Sequence, residues 1–338
     1  MKIRKLTSIF MAAAMVVMLA ACGKTESGTP KDTSQQTETD KTKDSGKGGR
    51  KIAVQVGTLE QTFYTMCVTG IKEAAKEGDE VIVYSPEWDQ EKQLSQVEDM
   101  ITKGVDCVLM APMDADGCLP SMDLLKQSGI PLLTFDRPLN EEDYDLAVAQ
   151  CLISDYDIGY NGGKALAEGL KEKNGEYKGK VVTYCYTSTL AGVDRLKGFD
   201  DAIAEYPDIE RIYNCDDEWD SETATRVIEN VMTSNPDMNG FWGWSSPSTT
   251  ACAQVCKSAG RDDIVITTNE CTKEVYDYIE EGAMYAGLDI NPVGLGKTAM
   301  NTMYDALDGK DVEGIIYNDV TLITAKNLNE AVTPSYEE

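Results

Sequence analysis

From residue 51 onward, short apolar runs rich in β-branched side chains alternate with longer segments whose apolar positions recur at helical spacing. Such an alternation predicts parallel strands covered on both faces by the helices that connect them. The strands predicted in the first half are 51–56, 81–84, 105–110, 131–135 and 146–153. The helices predicted between them are 64–77, 90–103 and 119–128.

The same alternation begins again after residue 153, so two halves of similar size follow each other. The strands predicted in this half are 180–184, 209–215, 240–243, 264–268, 284–288 and 319–324, with helices at 158–173, 191–206, 221–234, 249–259, 273–281 and 294–307. About 289 residues remain from residue 50 onward, a length that suits two lobes better than one core. We therefore predict an α/β fold with two doubly wound parallel-sheet lobes.

The first 21 residues have the pattern of an export signal. Three basic residues precede an uncharged apolar stretch at 6–21, which is short for a membrane span. The stretch ends in Leu19-Ala20-Ala21-Cys22, which resembles a bacterial lipobox, where the cysteine thiol accepts a diacylglycerol. We therefore predict a signal peptide at 1–21 and lipidation of Cys22, which would anchor the protein to the outer face of the cell membrane or in the periplasm.

The next segment, 22–50, reads as a disordered tether, because it holds almost no large apolar side chain with which to offset its ordering entropy. The formal net charge of −27 argues against a nucleic-acid partner, since binding a polyanion requires basic contacts. Histidine is absent from the sequence, which removes Ser-His-Asp and Cys-His catalysis and histidine-based zinc sites. We expect a binding protein, not an enzyme, without metal or cofactor.

Nine cysteines remain after Cys22, and several lie inside apolar strand-like runs. Buried free cysteine packs as a small hydrophobe, so we expect mostly reduced core thiols. Cys252 and Cys256 share a helical face, but no partner ligands accompany them and we predict no metal there.

Polar and aromatic residues gather where the predicted strands end, which is where open α/β sheets bind ligands. Aromatic rings can stack on the CH faces of a sugar while Asp, Asn and Arg pair with its hydroxyls. For any single residue, helix capping or loop packing is the alternative explanation. The candidate ligand-binding residues are Gln61, Phe63, Tyr64, Asp136, Arg137, Thr189, Trp219, Trp244, Ser245, Asn269 and Asp289.

Two of these segments, 58–64 and 134–137, resemble the periplasmic ribose- and galactose-binding protein family, the two-lobed type I receptors of ABC importers; the resemblance covers nearly the whole chain from residue 51. It implies that Phe63 and Tyr64 stack on the ligand, with Gln61 beside them. It also implies that Asp136 and Arg137 bind hydroxyls and the ring oxygen. The segment containing Trp219 is similar to the place where the second lobe of the family offers a stacking aromatic.

The second lobe departs from the family pattern. Val193 stands where the family carries an arginine, Ser245-Ser246 replaces an Asn-Asp pair, Asn269 replaces an Asp, and Ile290 replaces a Gln or Asn. A pocket with fewer charges and more indole predicts a ligand that is less hydroxylated or larger than ribose or glucose.

The resemblance further implies that three chain crossings form a hinge between a lobe of residues 51–153 plus 291–321 and a lobe of 154–290 plus 322–338. We expect a monomer that captures a small sugar-like molecule by hinge closure and delivers it to an ABC transporter permease. A receptor that senses a ligand for chemotaxis or quorum signalling would use the same pocket and stays open as the alternative. A glycosidase pair of Asp136 and Asp289 is disfavoured because Arg137 should keep Asp136 ionised.

Overall fold

The computed structural model describes residues 49–216 and 221–336, which fold into two α/β lobes. The strands are β1 (Lys51–Gln55), β2 (Glu80–Tyr84), β3 (Cys107–Met110), β4 (Leu132–Asp136), β5 (Ala149–Leu152), β6 (Gly179–Tyr184), β7 (Ile209–Cys215), β8 (Gly240–Gly243), β9 (Val265–Thr268), β10 (Ala286–Asp289), β11 (Ile315–Tyr317) and β12 (Thr321–Thr324). The helices are α1 (Thr62–Ala74), α2 (Gln90–Lys103), α3 (Leu119–Gln127), α4 (Asp155–Asn174), α5 (Leu190–Ile203), α6 (Ser221–Ser234), α7 (Ser246–Ala259), α8 (Lys273–Glu280) and α9 (Pro292–Leu307).

Each lobe contains one six-stranded sheet. The first sheet has the order β11-β5-β4-β3-β1-β2, and its strands are parallel. The second has the order β12-β10-β9-β8-β6-β7, in which only β12 runs antiparallel to its neighbour. The predicted fold class of two doubly wound parallel-sheet lobes is confirmed.

Alternation along the strands places a core on both faces of each sheet. In β1, Ile52 and Val54 pack with apolar side chains of α1 and α9, while Ala53 packs on the opposite face with those of α2 and α3. In β6, Val182 packs with α6, α7 and α8, and Val181 packs with α4 and α5. Burial of both faces explains why these strands are continuous apolar runs in the sequence.

The chain crosses between the sheets three times. It leaves the first sheet after β5, returns to it after β10, and crosses again in the short segment between β11 and β12. Asn318, in the last crossing, donates from Nδ2 to the backbone oxygens of Ile290 (2.8 Å) and Asn291 (3.2 Å) in the second crossing. These bonds tie two crossings together.

The strand prediction differs from the structure at one predicted strand and at one strand that was not predicted. The segment Glu141–Leu146 forms a 3-10 helix, and β5 begins only at Ala149, because three consecutive acidic residues at 141–143 favour a helical first turn. The three-residue strand β11 was missed, since an apolar run this short carries little periodic signal. In the described part of the chain, no helix combines the length and the apolarity needed to cross a membrane.

Candidate ligand-binding site

The carboxyl end of β4 carries a cluster of three predicted ligand-binding residues, joined by one hydrogen bond and one ion pair. Tyr64, from α1, donates its hydroxyl to Asp136 Oδ2 at 2.9 Å. Arg137 Nε lies 3.8 Å from the same oxygen, and Arg137 Nη1 donates to the backbone oxygen of Met113 at 2.8 Å. Asp136 has a φ of 75°, a left-handed conformation that is uncommon outside glycine. The turn therefore aims a carboxylate and a guanidinium beyond the edge of the sheet.

Burial dominates the electrostatics of this cluster. Desolvation raises the pKa of Asp136 to about 6, although the hydrogen bond from Tyr64 and the charge of Arg137 act in the opposite direction. With a pKa of about 6 the carboxyl is still largely ionised at neutral pH, and Arg137, 3.8 Å away, offsets only part of the desolvation. Burial and the charge of Asp136 also raise the pKa of Tyr64, so its hydroxyl stays protonated and acts as the donor.

The predicted aromatic pair of α1 has divided roles. Tyr64 is buried, whereas Phe63 is partly exposed and meets the Tyr64 ring edge-on at a centroid distance of 5.3 Å. Gln61 occupies the N-cap position of α1 and is exposed, and its side chain makes no capping hydrogen bond. Phe63 and Gln61 are thus free to meet a ligand, while the Tyr64 hydroxyl is engaged by Asp136.

A cavity of about 620 Å³ lies between the lobes beside Phe63. On its second-lobe side, Glu270 Oε2 accepts hydrogen bonds from both the backbone nitrogen and Oγ of Ser246, each at 2.6 Å. Ser246 is the first residue of α7, so the carboxylate rests on a helix N-terminus, where negative charge is stabilised. The cavity is lined by Thr62, Phe63 and Met66 from α1 and by Ser246, Pro247 and Glu270 from the second lobe, among others.

Two second-lobe candidates are displaced by one residue from the side chains that line this cavity. Ser245 and Asn269 are fully buried, whereas the residues that follow them, Ser246 and Glu270, line the cavity. Ser245 Oγ lies 2.9 Å from Ser248 Oγ inside the lobe. Successive side chains at a strand end point to opposite sides, so a shift of one position exchanges a buried residue for a facing one. The sequence pattern located these strand ends but not which residue of each pair faces outward.

Two further candidates are committed to the protein's own backbone. Thr189 caps α5 by accepting from the Gly192 nitrogen at 3.1 Å. Asp289 is buried and accepts from the backbone nitrogens of Asn291 (2.9 Å) and Thr333 (3.0 Å), and from the nitrogen of Val332. These contacts account for both side chains without a ligand, and their role in the pocket stays a prediction.

Of the two tryptophans predicted to bind ligand from the second lobe, only Trp244 lies within the described residues. The buried Trp244 ring lies 5.9 Å from the Tyr186 ring, and the Arg195 guanidinium lies over it at 5.7 Å. Trp219 lies outside the described residues, as does Cys22. Trp244 therefore packs against Tyr186 and Arg195 in the second lobe, and its contact with a ligand stays a prediction.

The start of α5 presents an aliphatic surface. Leu190 is 84% exposed and Val193 is 46% exposed, next to the ion pair of Arg195 Nε with Asp155 Oδ1 at 2.7 Å. The charges of Asp155 and Arg195 act on the pKa of Asp136, so this ion pair lies near the first-lobe cluster. The valine that replaces the family's arginine therefore belongs to an apolar wall.

Sequence reasoning missed an aromatic side chain at the carboxyl end of β2. Trp88 is 40% exposed, its ring lies 6.0 Å from the Tyr64 ring, and the Arg137 guanidinium lies over it at 5.0 Å. The same strand-end rule that selected Asp136 would have found it, had the loop after β2 been included. Within residues 49–216 and 221–336, no group of three or more His, Cys, Asp or Glu side chains is arranged to hold a metal ion.

Comparison with known proteins identifies the family. Residues 52–311 match the periplasmic binding protein domain, and the chain belongs to this family of binding proteins. It is 27% identical to the ribose import binding protein RbsB of Bacillus subtilis, over 84% of this chain and 91% of the relative. It is 26% identical to the xylitol-binding protein of Mycolicibacterium smegmatis, over 97% of this chain and 88% of the relative.

A solved structure shares the fold. The periplasmic solute binding protein of an ABC transporter from Actinobacillus succinogenes, with bound D-allose, aligns with a TM-score of 0.74 at 23% identity. The alignment covers 83% of this chain and 99% of that one.

Proposed function

We propose that this protein is the extracytoplasmic solute-binding component of an ABC importer and captures a sugar or sugar-like molecule between its lobes. The observation that carries the proposal is the cluster of Tyr64, Asp136 and Arg137 at the edge of the first sheet, beside a cavity between the lobes. Membership in the periplasmic binding protein family supports a binding role outside the cytoplasm.

The chemistry of the cluster suits hydroxyl groups. At neutral pH, an ionised Asp136 only accepts hydrogen bonds, and Arg137 only donates them, so together they match a hydroxyl that does both. Arg137 Nη1 donates to the Met113 backbone oxygen. This bond fixes the guanidinium plane and leaves further N–H groups for a ligand. Across the cavity, both bonds from Ser246 fall on Glu270 Oε2, so Oε1 serves as a second acceptor.

The size of the cavity fits a small ligand. A volume of about 620 Å³ lies within the range of about 300–1,000 Å³ typical of small-molecule sites. The relatives named for ribose and xylitol bind molecules of this size class. The exposed aliphatic side chains of Leu190 and Val193 at the start of α5 support a ligand less hydroxylated than ribose or glucose.

The test is binding to a panel of pentoses, hexoses, deoxyhexoses and polyols, screened by thermal shift and followed by calorimetry. We expect at least one sugar to raise Tm and Arg137→Met to weaken its binding at least 30-fold, about 2 kcal/mol. Arg261→Met is the matched control, because Arg261 pairs with Asp263. A panel without any binder, or an Arg137→Met variant within twofold of wild type, would contradict the proposal.

Import is tested in the cell. Deletion of the gene should abolish uptake of the radiolabelled ligand, and restoration of the chain should return it. Normal uptake in the deletion strain, together with a lost response to the ligand, would favour a sensory receptor.

The anchor and lobe boundaries complete the proposal. We propose that Cys22 carries the lipid after removal of residues 1–21, and that residues 22–50 link it to a monomer with lobes of 51–153 plus 291–321 and 154–290 plus 322–338. Cells fed an alkynyl palmitate should label the wild-type chain and not Cys22→Ala. Equal labelling of both chains would refute the anchor.

A further inference from the structure

The loop after β2 holds a tryptophan beside the binding cluster in an unusual conformation. Glu87 and Trp88 are consecutive residues with φ values of 58° and 60°. Backbone of this kind in residues other than glycine is strained and persists only where the surroundings enforce it, which occurs mainly at functional sites.

Three sets of contacts enforce this conformation. Thr58 Oγ1 donates to Glu87 Oε2 at 2.5 Å, and Ser85 Oγ donates to the other oxygen of that carboxylate. The Trp88 backbone nitrogen donates to the Gly57 oxygen at 3.0 Å. Gly57 also lets the indole approach, since a Cβ there would stand 2.7 Å from the Trp88 ring. The loop is therefore built around the position of one side chain.

The exposed indole is continuous with the residues proposed to bind hydroxyls. The Arg137 guanidinium lies 5.0 Å from the Trp88 ring centroid, within the range of a cation–π contact. The Tyr64 ring meets the same indole at 6.0 Å and 60°. The guanidinium lies over the indole and the Tyr64 ring meets it edge-on, so the Trp88 ring directly adjoins the Asp136 cluster while 40% of the residue stays exposed.

We propose that Trp88 is a specificity-determining residue of the cleft, whose indole stacks on the CH face of a cyclic sugar while Asp136 and Arg137 bind its hydroxyls. A sugar ring presents several C–H groups in one rigid plane to the negative face of the aromatic system, whereas an open-chain alditol does not. The ligand class is therefore a ring sugar in preference to the alditol with the same carbon skeleton. This inference rests on the proposed sugar-binding function and goes beyond it.

The test compares the best-binding ring sugar of the panel with its own alditol, for example D-xylose with xylitol or D-galactose with galactitol. The measured quantity is the ratio of the two Kd values from calorimetry. For the wild type we expect the sugar to bind at least 10-fold more tightly. Trp88→Ala and Trp88→Leu should weaken sugar binding at least 10-fold and change alditol binding less than threefold, whereas Trp88→Phe should retain most of the preference.

Tyr213→Ala is the matched control, because it removes another exposed aromatic ring, on β7 of the second lobe. We expect it to leave the ratio unchanged. Gly57→Ala keeps the tryptophan but crowds its ring, and we expect it to reduce the preference as Trp88→Leu does. Circular dichroism spectra and Tm values verify that each variant is folded.

The outcomes separate the two proposals. A wild type that binds neither sugars nor alditols overturns both. A wild type that binds a ring sugar, with a ratio that Trp88→Ala and Trp88→Leu leave within twofold, overturns the role of Trp88 while the proposed function stands. A wild type that prefers the alditol overturns the ligand class.

Discussion

At the residue scale, Asp136 combines two unfavourable features that a stability-driven sequence would avoid. Its carboxylate is largely withdrawn from water, and its backbone has a positive φ. Arg137 is 3.8 Å from the carboxylate, which gives only partial compensation. Residues held this way are characteristic of binding sites, where an imperfectly solvated acceptor is completed by the ligand.

Asp136→Asn should stabilise the ligand-free protein at neutral pH. The folded-state pKa of about 6 lies above the ordinary value of 3.8, so the native state binds more protons than the unfolded state between those values. The penalty is fully present above pH 6 and is relieved as pH falls toward 4. We expect the variant to gain about 1–2 kcal/mol in unfolding free energy at pH 7.5, and no advantage near pH 4, in urea titrations. Asparagine also tolerates a positive φ.

Asp145→Asn is the control for this prediction, because it changes the net charge equally at an exposed carboxylate paired with Lys126. The Lys126 ammonium holds the pKa of Asp145 below its usual range, so this variant should not gain stability at neutral pH. An Asp136→Asn protein that is less stable than wild type at pH 7.5 would contradict the prediction that the buried Asp136 charge destabilises the folded state.

Asp289→Ala should act on stability and not on affinity. The change removes acceptors for Asn291, Val332 and Thr333, leaving buried donors unsatisfied, at a cost of roughly 2–4 kcal/mol. Urea unfolding measures the loss, with the exposed Asp262→Ala as control. Ligand affinity measured on the folded fraction should stay within threefold. A 10-fold loss of affinity at unchanged stability would indicate that Asp289 contacts the ligand.

The candidate residues show which parts of the site a sequence can predict. Asp136, Arg137 and Phe63 follow from the rule that ligands lie beyond the carboxyl ends of strands, and they lie together as that rule implies. Ser245 and Asn269 are buried while the residues after them line the cavity, because facing and buried positions alternate residue by residue and the end of a strand is the least certain part of its pattern. Trp88 lies in a loop that the same rule covers but that the candidate segments left out, and only its positive φ is beyond what local propensity encodes.

At the element scale, glycines set the closest helix contacts in both lobes. A Cβ on Gly296 of α9 would lie 2.0 Å from the Cys67 oxygen of α1, and a Cβ on Gly198 of α5 would lie 2.1 Å from the Tyr156 oxygen of α4. Backbone atoms oppose both positions, so no side-chain rotation can make room. In these pairs, α1 follows the first strand of the first lobe and α4 follows the first crossing into the second lobe.

Gly198→Ala and Gly296→Ala should each destabilise the protein, in contrast to the usual effect in a helix. Replacing glycine by alanine inside a helix normally adds about 1 kcal/mol of stability. Here the added methyl group must separate two helices, which costs roughly 1–3 kcal/mol or more. Thermal unfolding followed by circular dichroism gives the sign. A rise in Tm for either variant would show that the helices move apart without cost.

The elements themselves were largely predictable because each helix and strand buries a periodic apolar face. The errors occur where periodicity is weak: the three-residue β11 and the acidic turn Glu141–Leu146 before β5. The predicted starts of α7 and α9 were too late. Each helix has a proline at its first or second position, where proline is compatible with a helix.

At the scale of the whole molecule, nine cysteines contribute to the cores without forming disulfides in the described part of the chain. Burial raises the pKa of Cys107 to about 12 and that of Cys151 to about 11, so their thiolates are scarce at neutral pH. A folded Cys22→Ala protein should therefore react with a thiol reagent much more slowly than the same protein in denaturant, which should expose nine thiols without prior reduction. A count near one after denaturation would indicate four disulfides and an oxidised protein.

The hinge gives the last prediction, because lobe closure must be absorbed by three chain crossings and Asn318 links two of them. Asn318→Ala should free these segments to move separately, so the ligand-free protein should sample a wider range of lobe openings. Closure would then cost more ordering entropy, and we expect a 3- to 10-fold loss of ligand affinity with no change in any residue of the cleft. Small-angle scattering should show a larger ligand-free radius of gyration and an unchanged ligand-bound one. Asn327→Ala, which removes hydrogen bonds to Thr324 within the second lobe, is the matched control and should change neither quantity. Equal affinity and equal scattering for Asn318→Ala and wild type would mean that the tie between the crossings does not govern closure.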